Sequence, residues 1–171
     1  LVVTNNKFLN IGGATTSGFG VYTLNLDSMI VNSNDFTFDV AHTSGTLYGV
    51  FQSTNCGNNT IINSNNINLS NIGTSQTAGI SIASHVGIRS TIKYNKLTGN
   101  IPNLTTSALQ PIIHTYGGGN SYTLEIDSNE INNVTVGGTA TIAMISAGNS
   151  STLGNTFIRG NVINNINRIG G

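Results

Sequence analysis

Charge is scarce in this chain: Asp, Glu, Lys and Arg make up 7% of its 171 residues, six of each sign, for a net charge of zero. A nucleic-acid binder needs a basic excess to neutralise phosphates, and six against six supplies none. The single cysteine, Cys56, excludes an internal disulfide framework and reads as a small buried or loop residue. Without a CxxC or Cys/His cluster there is no zinc signature, and no cofactor is expected. Trp is absent and aromatics are only 6%. No apolar stretch is long enough to span a bilayer, and nothing at residue 1 reads as a basic-then-apolar leader. No segment keeps a 3.6-residue apolar period, so helices are not expected.

What the chain has in quantity is Asn, Ser, Thr and Gly, and its asparagines keep time. An Asn-x-hydrophobic triplet returns at Asn6, Asn34, Asn65, Asn95, Asn129 and Asn161, with steps of 28, 31, 30, 34 and 32 residues. Near-even self-similarity at this period is the signature of a solenoid read one coil at a time. Three residues before each asparagine stand Val3, Val31, Ile62, Ile92, Ile126 and Ile158, all β-branched. Two residues after it come Phe8, Phe36, Ile67, Leu97, Ile131 and Ile163. A second apolar row follows at Ile11, Val40, Ile72, Ile101, Val134 and Ile166. A third patch, at Phe19 and Val21, Val50, Ile80 and Ile82, Ile112, and Ile142 and Met144, varies in its distance from the asparagine, so insertions enter ahead of it.

Short alternating runs rich in Ile, Val and Thr, punctuated by Gly, Asn and Ser, are strand signals. Three such runs per coil, in register from coil to coil, predict an all-β fold: a parallel β-helix of about five to six coils of roughly 30 residues, a rod about 25 to 30 Å long. Residues 1–171 read as one such segment, an internal section of a longer rod. The recurring asparagine suits a turn, because Asn tolerates positive φ, and stacked amides can hydrogen-bond along the ladder.

These stacks resemble those of the right-handed parallel β-helix proteins of the pectin-lyase-like superfamily, and the resemblance covers essentially the whole chain. Within that superfamily the Asn-, Ser-, Thr- and Gly-rich coils are most similar to the repetitive shaft of a large secreted bacterial adhesin. Low charge with many hydroxyl and amide side chains accords with this and is expected of an extracellular or cell-surface setting, and the uncapped strand columns at residue 1 and after Ile166 call for further coils, of the same or an identical chain, as partners at both ends. Surface glycans are further candidate partners; nucleic acid and a membrane span are not.

The few charges are the only material for an enzyme. Lys7 with Asp35, Lys96 with Glu130, and Asp127 between Lys93 and Arg159 fall on neighbouring rungs, as cross-strand ion pairs do. Asp27, Asp39, Arg89, Glu125 and Arg168 remain, with His42, His85 and His114. Glycosidases need paired carboxylates about one bond, and the nearest approach, Asp35, Asp39 and His42, lies along one coil and reads as a solvated loop. His85 and His114, on successive coils, read as exposed and lack a third metal ligand. Gly12-Gly13, Gly117-Gly118-Gly119 and Gly137-Gly138 lack the Lys-Ser/Thr ending of a phosphate loop and read as turns. The expected role is therefore structural and adhesive, with no catalytic or metal site. The alternative is a polysaccharide-binding or polysaccharide-cleaving β-helix, an enzyme or a phage tailspike section, which calls for exposed aromatic or carboxylate rows.

Overall fold

The computed structural model describes all residues except 13–15, 39–40, 54–57, 75, 86–87, 105–107, 117–121, 140, 150–153 and 171. The described residues contain strands and turns but no helix. The first winding holds β1 (Val2–Thr4), β2 (Lys7–Phe8) and β3 (Gly18–Thr23), the second β4 (Ser28–Asn32), β5 (Asp35–Thr37) and β6 (Thr46–Gln52). β7 (Asn59–Asn63), β8 (Asn66–Asn68) and β9 (Gln76–His85) follow, then β10 (Arg89–Lys93), β11 (Lys96–Ile101) and β12 (Ile112–Tyr116). Last come β13 (Thr123–Asp127), β14 (Glu130–Gly137) and β15 (Ile145–Asn149), then β16 (Asn155–Arg159) and β17 (Val162–Ile169).

Every strand pairs in parallel with its equivalent one winding away. The first sheet runs β1-β4-β7-β10-β13-β16, the second β2-β5-β8-β11-β14-β17 and the third β3-β6-β9-β12-β15. The molecule is thus a parallel β-solenoid with three faces, as the repeat predicts. The columns superpose in register: Val3 on Val31, Val31 on Ile62, Ile62 on Ile92, Ile92 on Ile126 and Ile126 on Ile158.

The asparagines form a continuous hydrogen-bonded ladder. The backbone N–H and side-chain amide of Asn6 donate to Asn34 Oδ1 at 2.9 and 3.2 Å, and Asn34 donates in the same way to Asn65 Oδ1 at 3.0 and 3.0 Å. Asn65 to Asn95, Asn95 to Asn129 and Asn129 to Asn161 repeat the geometry at 2.9 to 3.0 Å. Each amide from Asn34 onward also donates to a main-chain carbonyl of the earlier winding, such as Asn65 to Val31 O and Asn95 to Ile62 O. Asn34, Asn65, Asn95 and Asn129 are at most 1% exposed.

The turn explanation for these asparagines is corrected. None of the six adopts positive φ; the residue before each one does, at Asn5, Ser33, Ser64, Tyr94, Ser128 and Gly160, with φ of 57, 56, 54, 57, 54 and 62°. That left-handed residue makes the corner, and the ladder asparagine beyond it turns its amide inward. A second left-handed corner occurs at Asn10, Asn133 and Asn165, just ahead of Ile11, Val134 and Ile166.

Between the three sheets the aliphatic rows fill the interior. Val31, Ile62, Ile92 and Ile126, and Ile67, Leu97 and Ile131, are fully buried, and the rings of Phe8 and Phe36 stack 4.8 Å apart. On the last rung, covered on one side only, Ile158 and Ile163 are 49% and 47% exposed. The second apolar row differs from its prediction: it runs Ile11, Phe38, Leu69, Gly99, Val134 and Ile166. Ile101 belongs to the next row, opposite Val136, because an extra residue at Asn133 bulges β14. Ile72 lies outside the stack and is 58% exposed, and Val40 falls outside the described residues. The third patch stacks Val21, Val50, Ile80, Ile112 and Ile145, whereas Phe19 points outward.

A glycine column, Gly20, Gly49 and Gly79, accompanies that patch. A Cβ at Gly20 would sit 2.5 Å from the Phe36 ring, and one at Gly79 2.5 Å from Leu97 Cδ2. The second sheet's bulky row therefore fills the room that the third sheet's glycines leave.

Asn95→Val removes the two bonds that Asn95 Oδ1 accepts and the two that its amide donates, leaving Asn65 with buried unpaired donors. The expected loss is about 2 to 4 kcal/mol in urea unfolding. A loss below about 0.5 kcal/mol, the scale of an ordinary surface change, refutes the ladder as a stabilising element. Gly49→Ala, whose Cβ would meet Gly79 O at 2.7 Å, is expected to cost about 1 to 3 kcal/mol in the same measurement.

Candidate functional site

Alternation decides what the first sheet shows to solvent. Thr60 and Ile62 of β7 face inward, so Asn59, Ile61 and Asn63 face out; β10 presents Arg89, Thr91 and Lys93, and β13 presents Thr123, Glu125 and Asp127. Parallel register lines these up as three outward columns. The middle one runs Val2, Ile30, Ile61, Thr91, Glu125 and Phe157, and its flanks carry Asn59 and Arg89 on one side and Asn32, Asn63 and Lys93 on the other.

One end of this face is an ion network. Glu125 Oε2 lies 2.7 Å from Lys93 Nζ and 3.1 Å from Arg89 Nη2; Asp127 Oδ2 lies 3.3 Å from Arg159 Nε and 3.9 Å from Lys93 Nζ. The hydrogen bonds from Lys93 and then Arg89 hold the Glu125 carboxyl below the usual carboxylate range. Asp127 thus sits between Lys93 and Arg159 as predicted. Arg89 and Glu125, which the column reading had left without a structural role, join the network because they meet diagonally. Lys96 and Glu130 approach to 3.9 Å at an exposed site, and Lys7 and Asp35 are register partners.

Beside the network lies an open groove of about 390 Å³. Ile61 and Thr91 floor it, Ile88 stands at its edge 62% exposed, and Asn58, Asn59, Asn63 and Arg89 supply its polar groups. Asn58 Nδ2 donates to Asp27 Oδ1 at 3.0 Å, and Asn63 Oδ1 accepts from the Lys93 N–H at 3.1 Å. Asn59 Oδ1 is enclosed and has no hydrogen-bond partner among the described residues.

The third sheet carries a different surface, an aromatic quartet that the sequence reading missed. Phe19 and Tyr48 stack at 5.3 Å, Tyr22 and Phe51 at 5.6 Å, and Tyr48 and Phe51 approach to 4.5 Å. Phe19 is 39% and Tyr22 49% exposed. The available signal was spacing: each stacked pair is 29 residues apart, one coil.

The histidine expectations are corrected. His42 is fully buried, with its backbone N–H donating to Asn71 Oδ1 at 3.1 Å, while Asp35 lies on β5 and Asp39 outside the described residues. His114 is also fully buried; its Nε2 lies 3.3 Å from Ser90 Oγ and its ring stacks on Tyr122. His114 pairs in register with Ile82, and His85 with Tyr116, so the two histidines do not occupy matching rungs. Cys56 lies outside the described residues. Among the described residues no group of three or more His, Cys, Asp or Glu side chains could hold a metal ion, and no helix is long and apolar enough to cross a membrane.

These features define a parallel β-solenoid repeat protein with buried amide ladders. No protein-family model, no curated protein and no solved structure matches the chain.

Glu125 gives the network a pH dependence. Its depressed folded-state pKa contributes stability that is present above the unfolded value of about 4.3 and is lost as pH falls from there through the folded value. Melting temperature is therefore expected to fall below about pH 4.3, and Glu125→Gln is expected to flatten part of that fall. An unchanged acid limb in the variant refutes the assignment.

Proposed function

We propose that this chain is a structural and adhesive segment of an extracellular β-solenoid surface protein or filament, holding its outward faces and loops in a fixed array for attachment. The observation that supports this best is the ladder from Asn6 to Asn161, buried from Asn34 to Asn129, which ties every rung to the next through side chain as well as backbone. Such coupling suits a stiff rod whose rungs contact only their neighbours. The sparse charge and the hydroxyl- and amide-rich surface accord with a secreted shaft. The finer reading is a right-handed β-helix of the pectin-lyase-like kind, bearing further coils on its open rungs.

A second reading, polysaccharide binding, gains support from the aromatic quartet of Phe19, Tyr22, Tyr48 and Phe51, of which Phe19 and Tyr22 are exposed. Exposed apolar clusters of this kind mark interaction surfaces.

Antibodies against the chain are expected to label intact cells of the source organism and to lose their target when those cells are treated with protease. Signal confined to the soluble contents of lysed cells overturns the surface reading.

A further inference from the structure

We propose that the third sheet is a self-association surface, on which two copies of the chain pack face to face with their windings running in opposite directions. Charge singles this face out. The first sheet carries Arg89, Lys93, Glu125, Asp127 and Arg159 and the second Lys7, Asp35, Lys96, Glu130 and Arg168, whereas β3, β6, β9, β12 and β15 hold no Asp, Glu, Lys or Arg. Charged side chains guard a sheet face against another, because contact would strip them of water. The third sheet lacks that guard and instead shows solvent the rings of Phe19 and Tyr22, packed on the half-buried Tyr48 and Phe51. A contiguous apolar cluster on an uncharged face marks an interaction surface.

Charge, shape and area make the partner a second copy. The net charge of the chain is zero, so copies approach without long-range repulsion. The face is also complementary to itself: its outward column runs Tyr22, Phe51, Ser81, Ile113 and Ser146, bulky on the first two windings and small on the third and fifth. A two-fold axis lying along the strand direction reverses the windings of one copy against the other. It seats Tyr22 over Ser146 and Phe51 over Ile113, with the nearly buried Ser81 at the axis. Windings running the same way would set ring against ring at one end and hold the thinner end apart. Five rungs of about five residues cover roughly 800 Å² over the two copies, below the ~1,200 Å² at which standard interfaces begin, so the contact is reversible. A glycan fits the face less well. The four rings form a compact cluster with centroids 4.5 to 5.6 Å apart, and β3 and β6 turn no amide or charged side chain outward to meet sugar hydroxyls.

The test is analytical ultracentrifugation of the whole chain from about 5 µM to about 1 mM. A monomer–dimer equilibrium is expected, weakened about tenfold or more by Phe19→Lys and by Tyr22→Lys and kept by Ile61→Lys on the first sheet. Circular dichroism melts verify that the variants remain folded. Raising NaCl from about 50 to about 500 mM is expected to leave the dimer intact, since no ion pair holds it. Disulfide trapping reads the orientation: in a Cys56→Ser background, chains carrying Tyr22→Cys and Ser146→Cys are expected to form the mixed disulfide in preference to either like pair. A chain that stays monomeric throughout, a dimer that survives both lysine variants, or one that salt dissolves overturns the proposal. Preference for the Tyr22→Cys like pair overturns the opposed arrangement, and a monomeric chain whose Tyr22 binds a neutral oligosaccharide gives the face to glycan. These results come from the purified chain and stand apart from the cell-surface labelling that tests the adhesive reading.

Discussion

The structure depends on amides that have been removed from water and must therefore find partners inside the protein. A buried amide left unpaired costs more than a made hydrogen bond returns, about 1 to 3 kcal/mol against about 1. The ladder meets that constraint by using each asparagine twice: its oxygen accepts from the rung before, and its nitrogen donates to the rung after and to a main-chain carbonyl. Such an arrangement holds in one register only. A slip of one residue would turn the amides outward and put solvent-facing side chains into the core. The ladder thus specifies the winding as well as stabilising it.

Register, once imposed, propagates. The aliphatic rows on either side of the ladder stack because the strands that carry them are aligned by it, and the bulky tips of Phe36 and Leu97 reach the third sheet at Gly20 and Gly79. Outward residues are aligned by the same constraint. Ile30, Ile61, Asn59, Asn63, Arg89 and Glu125 come from four different windings and form one surface because their inward neighbours are locked. The candidate site is in this sense a by-product of the core.

Much of this was legible in the sequence. The six asparagines, the rows from Val3 to Ile158 and from Phe8 to Ile163, and the pairing of Asp127 with its neighbours on adjacent rungs could be counted directly, since a constant offset from a repeated residue survives without knowledge of the path between. Offsets that cross a bulge do not survive. Ile101 was aligned with Val134 by counting, yet the extra residue at Asn133 sets it opposite Val136, and Ile72, aligned with both, lies exposed outside the stack. Arg89 and Glu125 escaped notice because their contact is diagonal, and the aromatic quartet because its members lie on a sheet whose distance from the asparagine varies. His42 and His114 looked like loop residues and are interior ones.

The sequence by itself determined that like residues stack, since periodic apolar and amide positions have no other common solution that buries them all. Tertiary structure alone decided which residue makes each corner, which side chains face outward together, and where charge, aromatic rings and open groove lie relative to one another. The reason is physical: burial acts on every rung alike and so leaves a repeat in the chain, whereas surface contacts join single residues from different windings, at distances set by bulges and loops that have no period.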